Sequence, residues 1–165
     1  MAGLSMKVVN ETVYDRRAMA FAWDGGVLYR PAQLESLSIS LAFRNVGTTQ
    51  RFNVFREHLP LEADAGAAYD WRFGRSRLLT AFEVAIPYYG PPYGKLGAEY
   101  SFPVAPHVQA ALRAGYKTAT AADLNPLTGL TGGFGARWRD LDVDLAYQPM
   151  AELGGVYRMS LSYRW

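Results

Sequence analysis

A chain of 165 residues suffices for one domain with a real core or for one closed barrel of modest strand number. The formal charge of +2 is spread over singly placed basic residues, which argues against nucleic acid as a partner. The absence of cysteine excludes disulfides and thiolate metal sites, and no stretch reaches the roughly 18 apolar residues a membrane helix needs. With 11 Tyr and 16 Gly the composition favours strands and tight turns, so one all-β domain over residues 1–165 is expected.

In chain order, residues 1–7 lack the basic, apolar and small-residue regions of a secretory signal. Residues 4–13 and 18–29 read as strands of irregular alternation. From there the alternation is clean, because successive strand side chains point to opposite faces. Leu37, Ile39, Leu41 and Phe43 oppose Ser38, Ser40 and Arg44; Ala67, Tyr69, Trp71 and Phe73 oppose Gly66, Asp70 and Arg72; Leu78, Phe82, Val84, Ile86 and Tyr88 oppose Arg77 and Glu83. Leu96, Ala98, Tyr100 and Phe102 then oppose Lys95, Glu99 and Ser101, and Val108, Leu112 and Tyr116 oppose Gln109, Arg113 and Lys117. Leu130, Phe134 and Trp138 oppose Thr131, Arg137 and Arg139; Leu141, Val143, Leu145 and Tyr147 oppose Asp142 and Asp144; and Tyr157, Met159, Leu161, Tyr163 and Trp165 oppose Arg158, Ser160, Ser162 and Arg164.

The pattern predicts about ten strands of about ten residues, the length a tilted transmembrane strand needs and well beyond the globular average. The intervening links alternate between short (31–36, 74–75, 103–106, 139–140) and longer (47–64, 89–94, 118–128, 148–154); the first turn, near residues 15–17, breaks this rule. One end of the molecule should thus carry tight turns and the other loops, with both termini on the short-turn side. Aromatics near the ends of the apolar faces (Tyr29, Phe73, Tyr88, Tyr93, Phe102, Tyr116, Trp138, Tyr147 and Trp165) suit an interfacial girdle, or the capped core of a soluble barrel. The expectation is an antiparallel transmembrane β-barrel. The alternative is a soluble lipocalin-like barrel with an apolar ligand, which would turn its apolar residues inward.

Several segments, in order, carry a family resemblance: Phe43-Arg-Asn-Val-Gly47, Leu59-Pro60, Leu96-Gly-Ala-Glu-Tyr100, Leu112-Arg-Ala-Gly-Tyr116, residues 130–135, residues 141–147, and Tyr157-Arg-Met-Ser-Leu-Ser-Tyr163. Together they resemble PorV/PorQ-type proteins of the FadL-like superfamily, over nearly the whole chain. The resemblance implies a bacterial outer-membrane location among lipid and the barrel-assembly machinery. It also implies a larger barrel of about fourteen strands, of which this sequence would be the C-terminal portion. For FadL relatives it implies passage of hydrophobic small molecules, and for PorV relatives a role with secretion-system components. The alternating side chains Tyr157, Met159, Leu161, Tyr163 and Trp165 match the terminal signal by which outer-membrane barrels are assembled.

The inward face would carry Glu83, Glu99, Asp142 and Asp144 with Asp70, against Arg113, Arg137, Arg139, Arg158 and Arg164 with Arg72, Arg77 and Lys117. Cross-strand pairing of Asp142 and Asp144 with Arg137, Arg139 or Arg158 is expected, either as a selectivity or gating network or as packing that rigidifies a narrow lumen. No catalytic residue, cofactor or metal is predicted: Asp142 and Asp144 have basic neighbours rather than convergent oxygen ligands, and His58 and His107 fall at opposite ends. The 47–64 link, with Phe52, Val54, Phe55 and Leu59-Pro60, is apolar for a loop and should fold over the mouth, dock a partner, bind an apolar ligand or pack into the rim.

Overall fold

In the computed structural model residues 1–13, 16–48, 50–52, 55–119, 126–150 and 154–165 are described. They form strands β1 (Ala2–Val13), β2 (Arg16–Tyr29), β3 (Leu37–Gly47), β4 (Gln50–Phe52), β5 (Phe55–Glu57), β6 (Glu62–Phe73), β7 (Ser76–Pro87), β8 (Tyr93–Ala105), β9 (Val108–Lys117), β10 (Leu130–Trp138), β11 (Leu141–Pro149) and β12 (Gly155–Tyr163). A short 3-10 turn, Pro126–Gly129, precedes β10. Ten of these strands form a single antiparallel sheet in the order β1-β2-β3-β6-β7-β8-β9-β10-β11-β12, and β4 pairs only with β5. The sheet is open: β1 and β12 are its two edges and do not pair with each other.

The tight links are made by residues suited to them. Two-residue turns join Phe73 to Ser76, Ala105 to Val108 and Trp138 to Leu141, and each holds one residue with positive φ: Gly74 at 59°, His107 at 65° and Arg139 at 51°. Pro106 before His107 matches a type II turn, in which Pro presets the first central residue and the second takes positive φ. Both termini lie at this end, since the Leu28 N–H donates to Met1 O at 2.8 Å and the Arg164 N–H donates to Asp140 O at 2.9 Å. Pro103 was expected to begin a turn. Instead β8 continues to Ala105 through an irregularity between Pro103 and Ala105, where a residue without an N–H is tolerated.

The 47–64 link also departs from expectation. It contains the β4–β5 hairpin, and β6 already begins at Glu62; the run of Ala63, Ala65, Ala67 and Ala68 hid the alternation, because alanine belongs to neither class clearly. Phe52 and Phe55 belong to the hairpin, whereas Val54 lies outside the described residues, as do positions 14 and 15 of the first turn and residues 120–125 and 151–153 of two other links.

The register gives the sheet two unlike faces, since residues directly opposite on neighbouring strands share a face. Row after row on one face is apolar: Trp71 opposite Leu78 and then Tyr100, Leu112 and Phe134; and Phe134 opposite Leu145 and then Met159. These side chains are not covered. Leu112 is 51% exposed, Leu145 48% and Met159 75%, and among the described residues no large side chain is fully buried. A water-soluble sheet buries its apolar face under a second layer; among the described residues no second layer covers this one.

Burial is instead concentrated on the other face, at small side chains. Ala20, Ala22 and Ala85 are wholly buried, and Leu59 from the 47–64 link packs on Ala20 and Ala22 with Val9 alongside. The link therefore places one apolar residue on the polar face.

Candidate functional site: a charged hollow on the polar face

The polar face lines an open hollow of about 510 Å3 that runs from the β6–β7 turn to β12. Walls drawn from so many consecutive strands require the sheet to curl toward its polar side. The longest cross-strand reach shows the same curvature: Arg113 of β9 is ion-paired with Asp144 of β11, across β10. The residue beneath the pair is Gly135, where a Cβ would stand 2.6 Å from Asp144 Oδ1 and 3.0 Å from Arg113 Nη1. Glycine is needed here for lack of a side chain, not for an unusual φ.

In the hollow, at Glu99 and Asp142, and beside it on the same face, at Asp70 and Glu83, the carboxylates each meet defined partners. Glu99 accepts from Arg113 Nε at 2.6 Å and from the Ser101 hydroxyl at 3.1 Å. Asp142 accepts from Arg137 Nε at 2.5 Å and from Arg164 Nη2 at 2.9 Å. Asp70 accepts from Arg77 Nε at 2.8 Å and has Arg72 Nη2 at 3.6 Å. Glu83 pairs with Lys95 at 2.5 Å.

Two of the expected members lie elsewhere. Arg158 shares the face but donates to Gln148 Oε1 at 3.3 Å rather than to an aspartate. Arg139 sits in the β10–β11 turn with its guanidinium 5.8 Å over the Trp138 ring, so it is at the rim. The histidines remain apart, His107 in the short turn and His58 beside the Tyr88 ring at 5.6 Å near the loop end. Tyr157, Met159, Leu161 and Tyr163 line up along the apolar face of edge strand β12, and Trp165 follows beyond it in the same alternation.

Toward the loop end the hollow's face holds a cluster that sequence reasoning missed. Arg44 bridges Glu62 and Asp64 at 2.5 and 2.6 Å, Lys95 reaches Asp64 at 3.4 Å, and the Tyr93 hydroxyl donates to Glu62 Oε2 at 2.5 Å. Lys117 stands 4.6 Å from the centre of the Tyr93 ring. Tyr93, expected in the apolar girdle, is therefore on the polar face, opposite Ala85. The signal for Glu62 and Asp64 was present: they continue, two residues at a time, the series Gly66, Ala68, Asp70.

Beside this cluster Asn45, held at φ 58° where β3 is out of register with β2, ties three elements together. Its N–H donates to Asp24 Oδ1, its amide Nδ2 donates to Pro60 O, and Lys7 Nζ donates to its Oδ1, each at 2.8 Å. Lys7 is also 2.6 Å from Asp24. The Arg-Asn-Val stretch and the Leu59-Pro60 pair, distant in sequence, thus meet here.

No protein-family model, curated protein or solved structure matches the chain. Its chemistry must be read from the site alone. Among the described residues no group of three or more His, Cys, Asp or Glu is placed to hold a metal ion. What the hollow offers is a wall of fixed charges, chiefly guanidinium and carboxylate, open to solvent-sized species.

Proposed function

We propose that this chain is an outer-membrane β-barrel protein of the FadL-like, PorV/PorQ kind, whose polar face lines a lumen that passes small polar solutes. The observation that carries the reading is the sidedness of the sheet. Trp23, Trp71 and Trp138, and Trp165 by the same alternation beyond β12, fall on the face turned away from the hollow together with most of the long apolar side chains, and among the described residues that face is uncovered. Lipid is the solvent such a surface fits, and a polar interior with an apolar exterior is the arrangement of transmembrane barrels. A lipocalin-like carrier needs the reverse, with Leu141, Val143 and Leu145 turned toward the hollow and Asp142 and Asp144 away from it.

A membrane also demands that the open edges of the sheet be satisfied, because unpaired backbone groups are costly in hydrocarbon. In a ten-strand meander the first and last strands run antiparallel, so β1 and β12 could pair with each other or with further strands between them, keeping Lys7 and Arg158 on the inner side. The hollow's lining of guanidinium, carboxylate and hydroxyl groups favours polar solutes over hydrophobic ones.

Refolding into vesicles with acyl chains brominated at defined depths tests the reading. Tryptophan fluorescence should be quenched strongly, with the Trp71 and Trp138 end quenched most by bromines close to the interface. Unquenched emission from protein that has bound to the vesicles would sink the proposal.

A further inference from the structure

Along the hollow the charges are not evenly matched. At the short-turn end Asp142 serves both Arg137 and Arg164, and Asp70 serves both Arg77 and Arg72. Arg75, in the β6–β7 turn, also lines the hollow and has no carboxylate partner among the described residues. Arg72, Arg75, Arg77, Arg137 and Arg164 against Asp70 and Asp142 leave three positive charges uncompensated around one opening. Deeper in, the stoichiometry reverses, since Arg113 alone serves Glu99 and Asp144.

The bonding pattern leaves the surplus usable. Arg77 and Arg137 each spend Nε on their aspartate, so the pair of Nη groups at the tip of each guanidinium is not consumed by the hydrogen bonds that fix the side chain. Arg72 is 79% and Arg164 64% exposed along the side chain, and Ser162, opposite Asp142, adds a hydroxyl to the same wall. Guanidinium tips held by carboxylates behind them, with a hydroxyl beside them, form the donor set that binds tetrahedral or planar oxyanions. Rings of arginine serve the same purpose in anion-conducting pores.

We infer that the short-turn end of the hollow is an oxyanion-binding site, built by Arg72, Arg75, Arg77, Arg137 and Arg164, that takes small solutes carrying phosphate or carboxylate groups. The site deepens the channel reading by naming the charge class of the solute, and rests on that reading for its role in transport but not for binding itself.

The test is calorimetric titration of inorganic phosphate into the full chain folded in detergent micelles, at low salt. Wild-type protein should bind phosphate saturably, and the Arg77→Gln/Arg137→Gln double variant should bind it about tenfold or more weakly, as expected for the loss of charge-assisted hydrogen bonds. Arg158→Gln, outside the cluster, should leave binding unchanged. Should the double variant fail to fold, Arg75→Gln serves in its place, because it removes a surplus charge without orphaning an acid, and a several-fold loss is expected. Absence of saturable binding, or equal affinity in the charge-removed variants, would overturn the inference. Since micelle binding needs no bilayer, phosphate binding without brominated-lipid quenching would count against the membrane reading alone, and quenching without phosphate binding against the oxyanion site alone.

Discussion

Arg113 and Asp144 belong to strands that are not neighbours, and they meet because the residue between them is Gly135. A single missing side chain lets the ion pair span three strands, and the pair in turn holds β9 and β11 at the curvature that shapes the hollow. Both partners are more than a third exposed, so their direct contribution to stability is that of a surface pair, about 0.5 kcal/mol.

Gly135→Ala should abolish that coupling. A double-mutant cycle of Arg113→Ala and Asp144→Ala, measured by urea unfolding in micelles, is expected to show a coupling of about 0.5 kcal/mol in the wild type and none in the Gly135→Ala background. The idea is wrong if the coupling persists with alanine present, since the added Cβ would then have found room.

Leu145 and Ala146 are adjacent on β11 and on opposite faces, and both are exposed to the surroundings. In a lipid-facing sheet Leu145→Arg should cost about 2–4 kcal/mol if near the midplane and reduce insertion into vesicles, while Ala146→Arg should be tolerated. Co-sedimentation with vesicles followed by protease protection reads the difference. In a water-exposed sheet the two substitutions would behave alike, and that result would refute the lipid assignment.

Asn45 combines a left-handed backbone with three side-chain and backbone bonds to Asp24, Pro60 and Lys7. Asn45→Gly keeps the conformation and loses the amide; Asn45→Ala loses both, so alanine should be the worse by about 1 kcal/mol. Thermal or urea midpoints of the two variants, together with proteolytic susceptibility of the 47–61 link, would measure this. Equal midpoints would mean that the backbone at 45 is not constrained.

Leu59→Ala removes the side chain that covers Ala20 and Ala22. The expected loss is about 2 kcal/mol, at the low end for buried leucine because the site is one layer deep. Faster cleavage of the 47–61 link by a nonspecific protease, with the far-ultraviolet spectrum preserved, is the predicted signature. An unchanged cleavage rate would mean that the link is held by other contacts.

The alternation of residue types by itself determined most of the architecture. Because strand side chains have a period of two, Leu141, Val143 and Leu145 must share a face that Asp142 and Asp144 do not, whatever the neighbours are. The ten sheet strands, the short turns at 74–75 and 139–140, and the placement of Glu83, Glu99 and Arg113 on the charged face follow from that rule. At the alanine-rich start of β6 the apolar face offers little contrast, so the polar series Asp70, Ala68, Gly66 was not carried back to Asp64 and Glu62, and the cluster they form with Arg44, Tyr93 and Lys95 was missed.

Only the tertiary structure decided who pairs with whom. Partner choice depends on register and curvature, which arise between strands: Asp142 is held by Arg137 and Arg164, Arg158 turns to Gln148, and Arg113 crosses a glycine to reach Asp144. The surplus of guanidinium at the short-turn end has the same origin, because it lies in how many arginines the folded sheet brings to each aspartate, a ratio that the order of residues along one strand does not contain.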